Sequence, residues 1–180
     1  DRIVAVPGLD SVVIGPFDLS GALSKLGDVD GPAVTAAIDR VEHAQVLRHK
    51  DILRFAELGV IASIQATHAT SDKNMAQDRL GEVRIQGAYA WRKLRDAGAV
   101  IANGSDFPVE SPNPFYGLHA SITRQDHGNE PAAGWFPEER MTIEEAFASF
   151  TIDAAYAGHQ ENLLGTLEPG KKADFILLDR

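Results

Sequence analysis

The sequence predicts an α/β chain, half of a (β/α)8 barrel, with four βα units and a C-terminal strand segment. Three observations lead there. Short β-branched apolar stretches alternate with amphipathic ones along the 180 residues, the pattern of parallel strands joined by right-handed crossovers. Gly59 and Gly98 stand just past helical stretches, where a left-handed residue ends a helix. A composition 44% hydrophobic and 24% charged suits a packed core. Four open parallel strands would expose apolar edges. The expected assembly is therefore a two-fold homodimer that completes one barrel; a small open sandwich with helices on both faces is the alternative.

Each element has its own signal. Residues 11–16 (SVVIGP) are a β-branched run closed by Gly-Pro, hence a buried strand. Residues 31–40 carry Pro32 in the first turn of a helix. Strands follow at 40–46, 60–67 and 99–106, with helices at 50–59 and 84–98 between them. The polar stretch 68–83 is expected to be a loop. Residues 107–140 are rich in Pro and Gly, with a short helix near 116–124; a loop of that length is usually functional or mobile. Thr142 and Glu145 form a capping box for a helix over 141–158, with Ile143, Ala146, Phe147, Phe150 and Ala154 on one face. A last strand is expected at 173–178. The whole reads as one half-barrel domain in three segments, 1–40, 41–160 and 161–180.

A formal charge of −9 disfavours nucleic acid or an anionic membrane as partner. There is no cysteine, which removes thiolate metal sites, disulfides and a thiol nucleophile. No apolar run nears the roughly 18–20 residues of a membrane span, and the N-terminus lacks the pattern of a signal peptide. A cytoplasmic location is expected.

Parallel α/β folds bind ligands at the carboxyl ends of their strands. Those ends deliver Asp18 from the first strand, Glu42, His43 and Gln45 from the second, Gln65 and His68 from the third, and Asn103, Ser105 and Asp106 from the fourth. Singly, His43 fits a core histidine, Asp106 a turn cap in DFPVE, and His68 a loop cap. Glu42 fits a partner for a nearby cation. Together, His43, His68 and Asp106 are the imidazole and carboxylate set that suits zinc. A zinc ion with an open position lowers the pKa of water to about 7, and a neighbouring carboxylate serves as proton acceptor. His49, His119, His127 and His159 fall in helical or loop segments and are expected to be solvated.

Residues 40–179 carry RVEHAQ, GVIASIQATHATSD, AYAWRKLRDAG, NGSDFPVESPNPFYGLHASITRQ, FTIDAAYA and LGTLEPGKKADFILLD. In these motifs, long and in order, the chain resembles the amidohydrolase superfamily, in its N-substituted-formamide-deformylase-like branch. The resemblance implies a metal-dependent (β/α)8 barrel with a small β-sandwich appended. His43 would be the metal-binding histidine of the sixth strand. Asp106 would be the eighth-strand aspartate, which binds metal or water and acts as base. His68 would lie on the seventh-strand element, near the substrate. The family's first-strand His-x-His, its middle-strand carboxylate or carboxylated lysine and its fifth-strand histidine have no counterpart here. Residues 3–40, with VPGLDSVVIGPFDLS, resemble instead the class II metal-dependent pyruvate aldolases, and so imply a chimera of two barrel families.

The expected function is a metal-dependent hydrolase of loose specificity acting on a small-molecule amide, ester or phosphotriester. Its divalent metal, zinc by preference, would be held by His43, His68 and Asp106, with Asp106 and His68 catalytic. A homodimer would bring two copies of that set to one barrel mouth. A non-catalytic dimeric scaffold is the alternative, and a retro-aldolase dependent on Asp18 the third reading.

Overall fold

A computed structural model describes residues 40–178. The strand expected over 11–16, the helix over 31–40 except its last residue, Asp18 and the aldolase-like stretch lie outside the described residues. Three short parallel strands form the sheet: β1 (Arg40–Val41), β2 (Ile61–Ile64) and β3 (Ile101–Asn103). Their spatial order is β1-β2-β3, as for consecutive strands of a β/α barrel. Register pairs Val41 with Ala62 and Ile64 with Asn103. β3 is buried at every position, as a parallel strand covered on both faces must be. The strands are shorter than expected because the residues beyond them, His43, Gln65 and Asp106, leave the sheet to form its rim.

Between β1 and β2 runs α1 (Ile52–Leu58), ended by Gly59 at φ 66°. Ile52 and Phe55 turn inward. Between β2 and β3 run α2 (Ala66–Arg84) and α3 (Trp91–Asp96). α3 has six residues, far below the ~12 at which an isolated helix persists. Trp91 and Leu94, buried to 1% and 0% exposure, hold it in the core. Each such side chain contributes about 1.5–3 kcal/mol, which outweighs the poor nucleation. Gly98 ends this segment at φ 87° as expected.

Four expectations change. The stretch 68–83 is not a loop but most of the 19-residue α2, kinked at Gly81. Its polar surface hides the usual apolar stripe, and long-range polar ties replace it, as described below. The helix expected over 84–98 is confined to α3. Residues 85–87 form a 3-10 turn, and Ala88 bridges antiparallel to Val46. Gly87 is required there, since a Cβ would lie 2.0 Å from the Leu47 carbonyl oxygen. The helix over 141–158 breaks at Thr151 into α5 (Ile143–Phe150) and α6 (Ile152–Ala157). The Thr151 hydroxyl donates back to the Phe147 carbonyl at 2.7 Å. Residues 173–178 form no strand and have no ladder partner among the described residues; Phe175, Ile176, Leu177 and Leu178 are exposed.

The expected capping box of Thr142 and Glu145 is present. The short helix of the long loop is α4 (Pro114–Thr123), capped by the Asn113 side chain on the Phe115 amide at 3.0 Å. It packs closely enough on α5 that a Cβ at Gly117 would meet the Phe150 ring at 2.4 Å.

Candidate metal centre

The site is built where the three strands end. After Val41 the chain turns through His43 and Ala44, both with positive φ, at 68° and 38°. Such conformations cost a non-glycine residue about 1–2 kcal/mol, so the surroundings must fix them. Ala44 is buried, and the Tyr89 amide donates to the Gln45 carbonyl at 2.7 Å. The turn carries the His43 ring off the strand and toward β2. His43 Nδ1 lies 2.7 Å from Gln65 Oε1, and Gln65 Nε2 donates to Glu42 Oε1 at 2.8 Å.

β2 ends at Ile64, and α2 begins directly, so His68 falls in its first turn. A helix start leaves backbone N–H groups without intrahelical partners. Here the Ala66 amide is met by Asn103 Oδ1 at 3.1 Å, and Asn103 Nδ2 donates to Ser121 Oγ at 3.2 Å. The last residue of β3 thus fixes the turn that presents His68. Lower on α2, Asp72 Oδ2 accepts from Tyr89 Oη at 2.6 Å and Gln45 Nε2 at 3.1 Å. Burial and the Asp72 carboxylate push the Tyr89 phenol well above its usual pKa. Two side chains therefore tie the helix bearing His68 to the loop bearing His43.

β3 is followed by Gly104 and Ser105, and Asp106 takes φ 55°. Aspartate tolerates this region better than most residues. Its backbone carbonyl, not its carboxylate, accepts the Val109 amide at 2.8 Å. The carboxylate remains 37% exposed, with Oδ2 3.8 Å from His68 Nε2.

The structure brings His43, His68 and Asp106 together. One ligand atom from each lies within 4.8 Å of the others. The two imidazole rings stack with centroids 5.7 Å apart. Among the described residues His68 Nε2 is buried and makes no hydrogen bond, as is also true of Trp91 Nε1, Arg95 Nε and Arg124 Nη2. An unpartnered buried polar atom costs about 1–3 kcal/mol, and a bound cation removes that cost. Two imidazoles and a carboxylate are also the donor chemistry of zinc and similar divalent ions. On both grounds the residues fit a metal.

The sequence pattern of the amidohydrolase family matches residues 17–180. The chain belongs to the amidohydrolase family. That span takes in most of the stretch 3–40 expected to be aldolase-like, and the match lends no support to an aldolase segment or a chimera. Protein LONG AFTER FAR-RED 3 of Arabidopsis thaliana is 35% identical over 144 residues, 77% of this chain and 24% of its own length. N-substituted formamide deformylase of Arthrobacter pascens is 30% identical over 142 residues, 78% of this chain and 26% of its own. This amidohydrolase chain therefore spans about a quarter of the length of these relatives. Among solved structures, a metal-dependent hydrolase of Pyrococcus horikoshii OT3 superposes with a TM-score of 0.70 at 25% identity. That match covers 93% of this chain and 38% of the other.

The other histidines of this amidohydrolase chain stand apart from the cluster. His49 and His159 are exposed. His119 Nε2 meets Asn129 Oδ1 at 3.0 Å, and His127 stacks on Tyr116. On the next face of α2, Thr67, Thr70, Ser71 and Asn74 line an open cleft of about 490 Å³ opposite Asp126–Glu130. Lys73 pairs with Asp126 across it. That bond, with the backbone amides of Glu130 and Gly128, lowers the Asp126 pKa to about 2. Sequence reasoning gave Gln65 no role and Glu42 a cation partner; instead the two bond each other. The signal was the spacing in QATH, a buried amide three residues before the histidine.

Proposed function

We propose that this chain contributes part of the active site of a metal-dependent hydrolase, with His43, His68 and Asp106 holding a divalent cation. Zinc is the first choice from the donor set. The observation that carries the reading is the buried, unpartnered His68 Nε2 facing the Asp106 carboxylate. A cation bound there would polarise a carbonyl or phosphoryl oxygen and acidify water. The chain's own contribution is positional and acid–base. His43 and His68 would offer ring nitrogens from the turns described above, and the exposed Asp106 carboxylate is placed to take a proton and return it to a leaving group. The substrate is a small molecule with an amide, ester or phosphotriester bond. Loose specificity and slow turnover are part of this proposal.

Among the described residues, β1 and β3 are each bonded on one side only, which supports pairing with further strands. A second copy of the chain is the partner proposed from the sequence; light scattering on the purified protein tests it.

The functional test is metal content by elemental analysis before and after chelation, on protein of known oligomeric state. Hydrolysis of a phosphotriester and an aryl ester is followed in parallel. Near-stoichiometric zinc, with rate lost and restored alongside it, is the expected result. No metal and no rate change would establish the non-catalytic scaffold instead.

A further inference from the structure

The strand ends hold one polar chain whose direction is fixed at one terminus. Gln65 is buried, so both ends of its amide need partners. Its two contacts are Glu42 Oε1 and His43 Nδ1. A carboxylate offers acceptors only, so the Gln65 NH2 must face Glu42 and its carbonyl oxygen must face His43. The reversed amide would set oxygen against carboxylate at 2.8 Å. A carbonyl oxygen is likewise an acceptor only, so His43 Nδ1 must carry a hydrogen. A neutral imidazole protonated at Nδ1 keeps its lone pair at Nε2.

We infer that Glu42 and Gln65 are positioning residues, which together lock His43 in its Nδ1–H tautomer and so reserve Nε2 for the metal. The inference rests on the proposed metal site and names the device that prepares it. It also accounts for the strain at His43. The left-handed turn at 68° carries the imidazole to Gln65, the residue that follows β2. Orientation of a ligating histidine through its second nitrogen sets both ring direction and basicity, and loss of that partner typically costs 10–100-fold in metal affinity. Glu42 acts at one remove: its carboxylate accepts from Gln65 Nε2 and so dictates which way that amide points.

The test separates this device from the metal reading. Long-range 1H–15N correlation spectra of chelator-treated protein report the His43 tautomer without any metal. The wild type is expected to show the Nδ1–H form. Glu42→Gln keeps shape and packing but lets the Gln65 amide point either way, so a mixture of tautomers is expected. Zinc affinity, measured by competition with a chelator of known strength, should fall about 10–100-fold in Gln65→Leu and by less in Glu42→Gln. Thermal unfolding of each variant shows whether it is folded. A purely structural role would lower Tm in Gln65→Leu yet leave the tautomer unchanged in Glu42→Gln. An Nε2–H wild type, or a Glu42→Gln protein with wild-type tautomer and affinity, overturns the inference. If the wild type binds no zinc, the proposed metal site fails. The tautomer then decides the hydrogen-bond relay by itself.

Discussion

Two polar regions of this chain are built on opposite terms. Around α3 and α5, ion pairs tie the chain together, although Trp91 Nε1 and Arg95 Nε are buried there without a hydrogen bond among the described residues. Arg92 holds Glu145 through two bonds of 2.7 and 2.6 Å, Lys93 pairs with the buried Glu139, and Arg95 reaches Asp153 at 2.5 Å. Glu139 also accepts the backbone amides of Arg92 and Lys93, capping a helix too short to cap itself. At the strand ends the balance is left open. His68 Nε2 has no hydrogen-bond partner among the described residues, Asp106 is exposed, and His43 sits in a strained turn. An unmet buried polar atom costs stability wherever it lies. What sets the strand ends apart is that two imidazoles and a carboxylate converge there, where one ligand could meet them together.

This contrast is broken most sharply by His43→Ala. Stoichiometric zinc should be lost by elemental analysis, and any hydrolytic rate should fall at least ~100-fold, with a stability loss of about 1–3 kcal/mol from the Gln65 carbonyl left unpaired. The framework should behave in reverse. Arg124 is fully buried between the Trp91 and Trp135 rings and donates to the Tyr89 and Trp135 carbonyls. Its replacement by Met should cost about 3 kcal/mol in urea unfolding and leave the metal-free His43 tautomer untouched. Asn103 belongs to both regions, since it caps α2 and thereby places His68. Asn103→Leu should cost about 1–2 kcal/mol and weaken zinc binding as well, which calorimetry would show.

The smallest effect is a pH dependence. The Arg92 guanidinium, and after it the Thr142 amide, hold Glu145 down at about 2, against an ordinary value of 4.5. The folded form thus binds its proton later than the unfolded one. This group's contribution is complete above about pH 4.5 and is lost as pH falls toward 2. Partly solvated, the pair contributes about 1 kcal/mol. Glu145→Gln should lower stability at pH 7 by about that amount and flatten this part of the acid decline, as read from unfolding curves at pH 7 and pH 3.

The strands were legible because β-branched runs such as VIASI carry their burial in their own composition. The histidines and Asp106 were legible as strand-end residues for the same reason. α2 was not, because THATSDKN has little apolar periodicity. What holds it is burial of Ala66, Ala69 and Ala76 in the core, with Lys73 on Asp126, 53 residues away, Ser71 on Glu110, and Asn103 on its first turn. Such ties leave no local period to read. Residues 173–178 failed in the opposite sense. DFILLD has the composition of a strand, yet pairing needs a neighbour, and the described residues supply none. At the site, position was readable and hydrogen-bond direction was not, since Gln65 lies 22 residues from His43.

The central claim is that the open valences at the strand ends belong to a metal. Calorimetric titration of zinc into chelator-treated protein, beside His68→Ala, tests it most directly. A saturable site in the wild type that disappears in the variant is the expected result. Equal heats in both proteins, or none in either, would contradict the claim and leave the rim as an unligated turn.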